Sequence, residues 1–146
     1  MRLVFDTQIY VEALRAPDGN AALERLHEMG SLVWLNAVVA FELLAGMPAR
    51  DGVPREVALM HRFVERGLVV APSFAAWRRA GEAIAALHSR GRIDERRVPK
   101  SFVHDLVIAA SCAEEDITLV TKNARDFALI AEEIPFRFMP ALERSP

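Results

Sequence analysis

Five short apolar runs, rich in β-branched or aromatic residues, alternate with stretches of helical periodicity, and this alternation constrains the fold more than any other feature. The runs are RLVF (2–5), LVWLN (32–36), LVV (68–70), ITLV (117–120) and FRF (136–138). Helical patterns lie near 7–15, 20–29, 37–46, 55–66, 74–89, 103–115 and 124–132. Pro48, Pro54, Pro72, Pro99 and Pro135 all fall at expected boundaries, where proline is tolerated. APDGN (16–20) and ARDG (49–52) carry turn chemistry. Such alternation predicts an α/β architecture with a largely parallel sheet between helical layers. LVWL and ITLV lack a polar face, as strands covered on both sides do. In these folds the working groups gather beyond the carboxyl ends of the strands. Asp6 stands at one such end, and Lys122 and Asn123 stand just past another.

A length of 146 residues predicts one domain over 1–146, long enough to bury a sizeable core. With 52% apolar and 26% charged residues the chain reads as globular. No run approaches the roughly 18 apolar residues of a membrane span, and Arg2 precedes too short an apolar run for a signal peptide. The single cysteine, Cys112, excludes an internal disulfide and a multi-cysteine zinc site, and is expected to be a small buried packing residue. The expectation is a soluble cytoplasmic protein. A net charge of −2 leaves no bulk basic footprint for nucleic acid. Charge is uneven, however: RGRIDERRVPK (90–100) sets five Arg or Lys against Asp94 and Glu95. That segment is either a solvated loop or a docking surface for phosphates or an acidic partner. Trp34 and Trp77 read as core or interface anchors.

Several carboxylates stand in apolar settings. Asp6, where a strand meets a helix, is a favoured N-cap, because its oxygens accept orphan backbone N–H groups. Glu42 is the only ionisable residue from Met29 to Ala49, and its helical neighbours are Val38, Val39, Ala45 and Gly46. An unpaired buried carboxylate is costly, so a metal ion or a distant Arg is expected to neutralise it. Asp105 opens an apolar helix whose same face continues through Ala109 and Cys112, and an acid in a first turn is also favoured by the helix dipole. LVTKNARDF (119–127) presents Thr121, Asn123 and Asp126 directly after a strand, where capping is again an alternative. Four such acids at the positions where an α/β fold builds its site call for a shared explanation. Dense oxygen donors select hard cations such as Mg²⁺ or Mn²⁺. The histidines, His27, His61, His88 and His104, form no zinc-type spacing. Carboxylate-held Mg²⁺ serves phosphoryl transfer to water.

The ordered set FDT (5–7), AVVAFELLAG (37–46), HDLVIAAS (104–111) and TKNARDF (121–127) resembles the PIN-domain ribonucleases over essentially the whole chain. Within that superfamily it is most similar to the VapC toxins of bacterial and archaeal toxin–antitoxin pairs. The resemblance implies a three-layer α/β/α sandwich with a mainly parallel five-stranded sheet in the order 3-2-1-4-5. It places the family's acids on Asp6, Glu42 and Asp105, with Thr7 ordering the site. Many members carry aspartate where this chain has Asn123, so either Asp126 supplies the fourth carboxylate or the site runs on three. Asn36 and Val39 stand where relatives often have Ser and Thr, and Gln8 where Asn is common.

The implied activity is RNA phosphodiester hydrolysis that leaves a 5′-phosphate. Mg²⁺, or Mn²⁺ in its place, would be held by Asp6, Glu42, Asp105 and Asp126, with Asn123 completing the rim. Phosphate contacts are expected from Lys122, Arg125, Arg96, Arg97 and Lys100. The resemblance also implies a homodimer and a cognate VapB-type antitoxin whose tail enters the cleft. A dehalogenase-type phosphatase is disfavoured, because Gln8 occupies the place of its second acid. A non-catalytic PIN-fold domain that binds RNA or a partner, and a PIN nuclease of RNA processing, remain alternatives.

Overall fold

In the computed structural model, which describes residues 1–47 and 54–141 apart from the side chains of Asn20, Ala22, Leu23 and Glu95, each apolar run forms a strand. The strands are β1 (Leu3–Phe5), β2 (Val33–Asn36), β3 (Val69–Val70), β4 (Thr118–Thr121) and β5 (Phe138–Pro140). The helices are α1 (Thr7–Arg15), α2 (Gly19–Glu28), α3 (Ala37–Ala45), α4 (Arg55–Glu65), α5 (Phe74–Ser89), α6 (Lys100–Glu115) and α7 (Ala124–Ala131). Pro48 and the turn expected at 49–52 lie outside the described residues.

The strands form one sheet in the order β3-β2-β1-β4-β5, and all four pairings are parallel. Parallel pairing puts every carboxyl end at the same edge, so the residues after β1 and β4 become neighbours. Phe5 lies opposite Val120, and the Asp6 N–H donates to the Val120 carbonyl at 2.9 Å. The central strands are sealed on both sides, with Val4 and Leu119 fully buried and Val33 and Leu35 nearly so. That burial explains the missing polar face in their sequences.

Helices flank the sheet. α6 packs on α5, α7 and α3, and its residues Asp105 to Cys112 are all buried. Burying a side chain such as Leu106 or Ile108 contributes about 1.5–3 kcal/mol, enough to hold α6 in the core despite the acid on its face. Among the described residues, no helix is long and apolar enough to cross a membrane.

Two elements begin more than one residue from the pattern-based expectation, each for a physical reason. β5 begins at Phe138, because Phe136 is taken up in stacking on Phe138 at 5.2 Å and meeting Phe127 edge-on at 5.9 Å. The aromatic signal at 136–138 therefore marks packing as much as pairing. α6 begins at Lys100, directly after Pro99, whose extended backbone (φ −64°, ψ 149°) starts the helix. Lys100 and Ser101 are exposed and polar, so the apolar periodicity missed them. Asp105 is consequently the sixth residue of α6, beyond the orphan N–H groups of the first turn. Capping cannot account for it.

Candidate active site

Asp6 is held at both carboxylate oxygens. It occupies the N-cap of α1, where Oδ1 accepts the Thr7 N–H at 2.8 Å. Oδ2 accepts the Thr121 hydroxyl, from the end of β4, at 2.7 Å. With 7% of its surface exposed, Asp6 has its direction set by the cap and the neighbouring strand together. The capping expectation holds, and it leaves the carboxylate rigid.

Thr121 is a junction. Its hydroxyl donates to Asp6 and accepts the Asn123 N–H at 2.9 Å. Asn123 stands at the N-cap of α7, yet its side chain caps nothing; its amide donates instead to Asp126 Oδ2 at 2.9 Å. Asn123 thus orients Asp126, which an aspartate at 123 could not do by donation at neutral pH. Thr121→Val would leave one oxygen of Asp6 without its donor and the Asn123 N–H without its acceptor. We expect a loss of about 1–3 kcal/mol of stability, read by thermal melting. Affinity for Mn²⁺ should fall by about 10–100-fold, read by calorimetric titration. Unchanged values in both would mean the junction does not organise the site.

The Thr7 hydroxyl donates to Glu42 Oε1 at 2.8 Å, which ties α1 to α3. Glu42 Oε2 lies 3.4 Å from His104 Nδ1, and the His104 ring meets Phe41 edge-on at 5.6 Å. Among the described residues no Lys or Arg pairs with Glu42, so Thr7 and His104 stand where a distant Arg was one expectation.

Asp105 reaches the same place from α6. Burial, then the charges of Asp6, Glu42 and Asp126, push its carboxyl up from 3.8 to about 8. Asp105 therefore lies within electrostatic reach of the other three acids, and no Arg or Lys is paired to any of the four among the described residues. Burial also raises the Cys112 thiol to about 12, with Asp6 adding to the effect, so Cys112 is an inert packing residue.

The oxygen-only donor set and its uncompensated negative charge fit a hard divalent cation. Asp6, Glu42, Asp105 and Asp126 would hold it. Among the described residues, however, no three acidic, histidine or cysteine side chains already form a group that could hold a metal ion.

The cations suggested for RNA are dispersed. Lys122 is paired with Glu12 of α1, which also accepts from Gln8 at 3.3 Å. Arg96, Lys100 and Arg125 are exposed, and Arg97 lies 3.7 Å from Asp94. The 90–100 segment is not a free loop. Arg90 and Arg92 both bond Glu132 at 2.8 Å, residues Glu95–Arg97 form a 3-10 turn, and Ile93 and Val98 pack against the core.

Sequence reasoning missed His104 and left Thr121 without a role. His104 directly precedes Asp105, and Thr121 ends the strand that a parallel sheet sets beside β1; both signals were present. Asn36 is fully buried: Oδ1 caps α3 through the Val38 N–H at 2.9 Å, and its amide donates to the Ser111 hydroxyl at 2.7 Å. It thereby locks α3, which carries Glu42, to α6, which carries Asp105. Val39 is buried packing, and Gln8 is exposed.

The PIN-domain family profile matches residues 3–133 of the chain. No curated protein matches it. Among solved structures, VapBC2 from Rickettsia felis, bound to a DNA fragment from its promoter, is similar at 23% identity and a TM-score of 0.64, covering 97% of this chain and 100% of that one. DNA-bound VapBC from Salmonella typhimurium matches at 22% identity and a TM-score of 0.64, covering 96% and 98%. VapBC-5 from Mycobacterium tuberculosis matches at 21% identity and a TM-score of 0.55, covering 97% and 100%.

Proposed function

Because this chain belongs to the PIN-domain family, we propose that it is a Mg²⁺- or Mn²⁺-dependent endoribonuclease and the toxin of a VapBC-type toxin–antitoxin pair, a single domain throughout. The observation that carries the nuclease reading is the placement of Asp6, Glu42 and Asp126 around Asp105, whose carboxyl is raised to about 8 by burial first and then by those three charges. A cluster of that charge at the carboxyl edge of a parallel sheet suits a cation and a phosphodiester.

Asp6, Glu42, Asp105 and Asp126 are the cation's ligands in this reading. When bound, a divalent ion supplies charge neutralisation at the scissile phosphate and a lowered pKa for the attacking water. The chain supplies placement. Thr121 and the cap of α1 fix Asp6, Thr7 fixes Glu42, and Asn123 fixes Asp126. Asp105 must give up its proton to bind, so cation binding strengthens with pH up to about 8. Arg96, Arg97, Lys100 and Arg125 contact RNA phosphates. Lys122 joins them on leaving Glu12.

The toxin reading is supported by fold likeness to VapBC complexes and to FitAB bound to a DNA fragment. A VapB-type antitoxin and a second copy of this chain are the proposed partners. Exposed Phe41, Phe74 and Trp77 provide apolar surface for such contacts.

The test is cleavage of tRNA, rRNA and mRNA by antitoxin-free protein in Mg²⁺ or Mn²⁺, beside an EDTA control and Asp6→Asn. Asn caps a helix as well as Asp does, so this variant keeps the fold and removes a charge. Cleavage lost in both controls supports the nuclease. Absence of cleavage by folded protein on all three RNAs would shift the reading to a non-catalytic binding domain.

A further inference from the structure

A cavity of about 260 Å³ opens between the 93–99 segment, the start of α6 and α7. Ile93, Val98, Phe102 and Leu129 form apolar walls, and Arg97 and Asp126 stand among its lining. Asp126 also lies within electrostatic reach of Asp105, so the cavity adjoins the candidate site. Helical spacing agrees: Phe102 lies three residues before Asp105, and Leu129 three after Asp126, so cavity and acids share the same faces of α6 and α7.

We propose that this cavity is a nucleobase subsite, which takes one unpaired base of the RNA next to the cleaved bond. The inference rests on the nuclease reading and deepens it, by making the substrate single-stranded at that position. Size argues for one base. The cavity is smaller than the roughly 300–1,000 Å³ pockets of drug-sized ligands, and a base held in a duplex cannot present its face to these walls. Charge argues for a nucleotide over a peptide side chain. Arg97 lines the cavity, and Arg96, Lys100 and Arg125 adjoin lining residues along the chain, against Asp94 and Asp126 in the lining and Glu95 beside it in the chain. Apolar walls with Arg97 at their edge and further cations next along the chain match a flat base on an anionic backbone. Asp94, 3.7 Å from Arg97, and Asp126 offer acceptors to base N–H groups.

Ser101 is exposed, sits on the cavity wall and is the second residue of α6, so a larger side chain there fills the cavity without entering the core. The experiment compares Ser101 and Ser101→Phe in an Asp105→Asn background that does not cut. Binding of a single-stranded RNA is followed by fluorescence anisotropy in Mg²⁺. A set of oligonucleotides lacks the base at each position in turn. Removing one base next to the cleaved bond should weaken binding by about 5- to 100-fold when Ser101 is present. Ser101→Phe should weaken the intact oligonucleotide to that same level and leave the matching abasic one unchanged, which a misfolded variant could not do. Equal binding of intact and abasic RNA, or losses from Ser101→Phe that are the same for both, would overturn the subsite. Base-dependent binding sensitive to Ser101→Phe, with no cleavage by the unsubstituted enzyme, would keep the subsite and reject the nuclease.

Discussion

Asp105→Asn should lower RNA cleavage by at least about a hundredfold and yet make the metal-free protein more stable above neutral pH. Both effects come from one carboxyl. Its ordinary value of 3.8 is pushed to about 8, by burial first and then by Asp6, Glu42 and Asp126. Between those two values the native protein keeps a proton that the unfolded chain releases. Stability associated with this group is therefore fully present below about pH 4 and is lost progressively as pH rises to about 8. At about 1.4 kcal/mol for each pH unit, the cost reaches several kcal/mol. Asparagine has no proton to lose and nearly the same shape. Thermal melts in chelator should coincide at pH 4, separate in favour of the variant toward pH 8, and run parallel beyond. Adding Mn²⁺ should raise the melting temperature of the parent more than that of the variant, since the cation offsets a charge that Asn lacks. Parallel melts from pH 4 to 9 would mean that Asp105 is not held in the acid cluster.

Phe127→Ala should cost about 3–5 kcal/mol. The ring is fully buried, meets Phe136 at 5.9 Å and lies 6.4 Å from Phe138. It joins α7 to β5 at the sheet edge, one residue after Asp126. Truncation leaves a cavity between elements that the backbone prevents from closing. A drop in melting temperature of about 10 °C or more is expected for a chain of this size. A cost under about 1 kcal/mol would show that α7 and β5 do not pack through these rings. Phe127→Leu should recover most of the loss, because it refills the space with an apolar side chain.

Much of the site was legible because its parts are local. Asp6 follows a short apolar strand, Glu42 is alone in an apolar helix, and Asp105 interrupts another. Each is conspicuous from its neighbours alone, and the order of the four motifs carried the family resemblance. What stayed hidden was relational. Nothing near Glu42 in sequence indicates His104, which is 62 positions away. Thr121 looks like any threonine at a strand end until β4 is laid beside β1. Asn123 reads as a defective acid, whereas its amide holds Asp126 in place.

The sequence by itself determined the order of strands and helices, since periodicity and proline placement are properties of adjacent residues. It also determined which carboxylates have no local counter-charge. Only the tertiary structure decided that Asp6, Glu42 and Asp126 lie within electrostatic reach of Asp105, that Asp105 lies beyond the reach of helix capping, and that Arg97 and Asp126 line one cavity. The reason is distance along the chain. A charge interaction or a hydrogen bond depends on separation in space, and parallel strands bring residues 6, 42, 105 and 126 to one edge that no window of neighbouring residues contains.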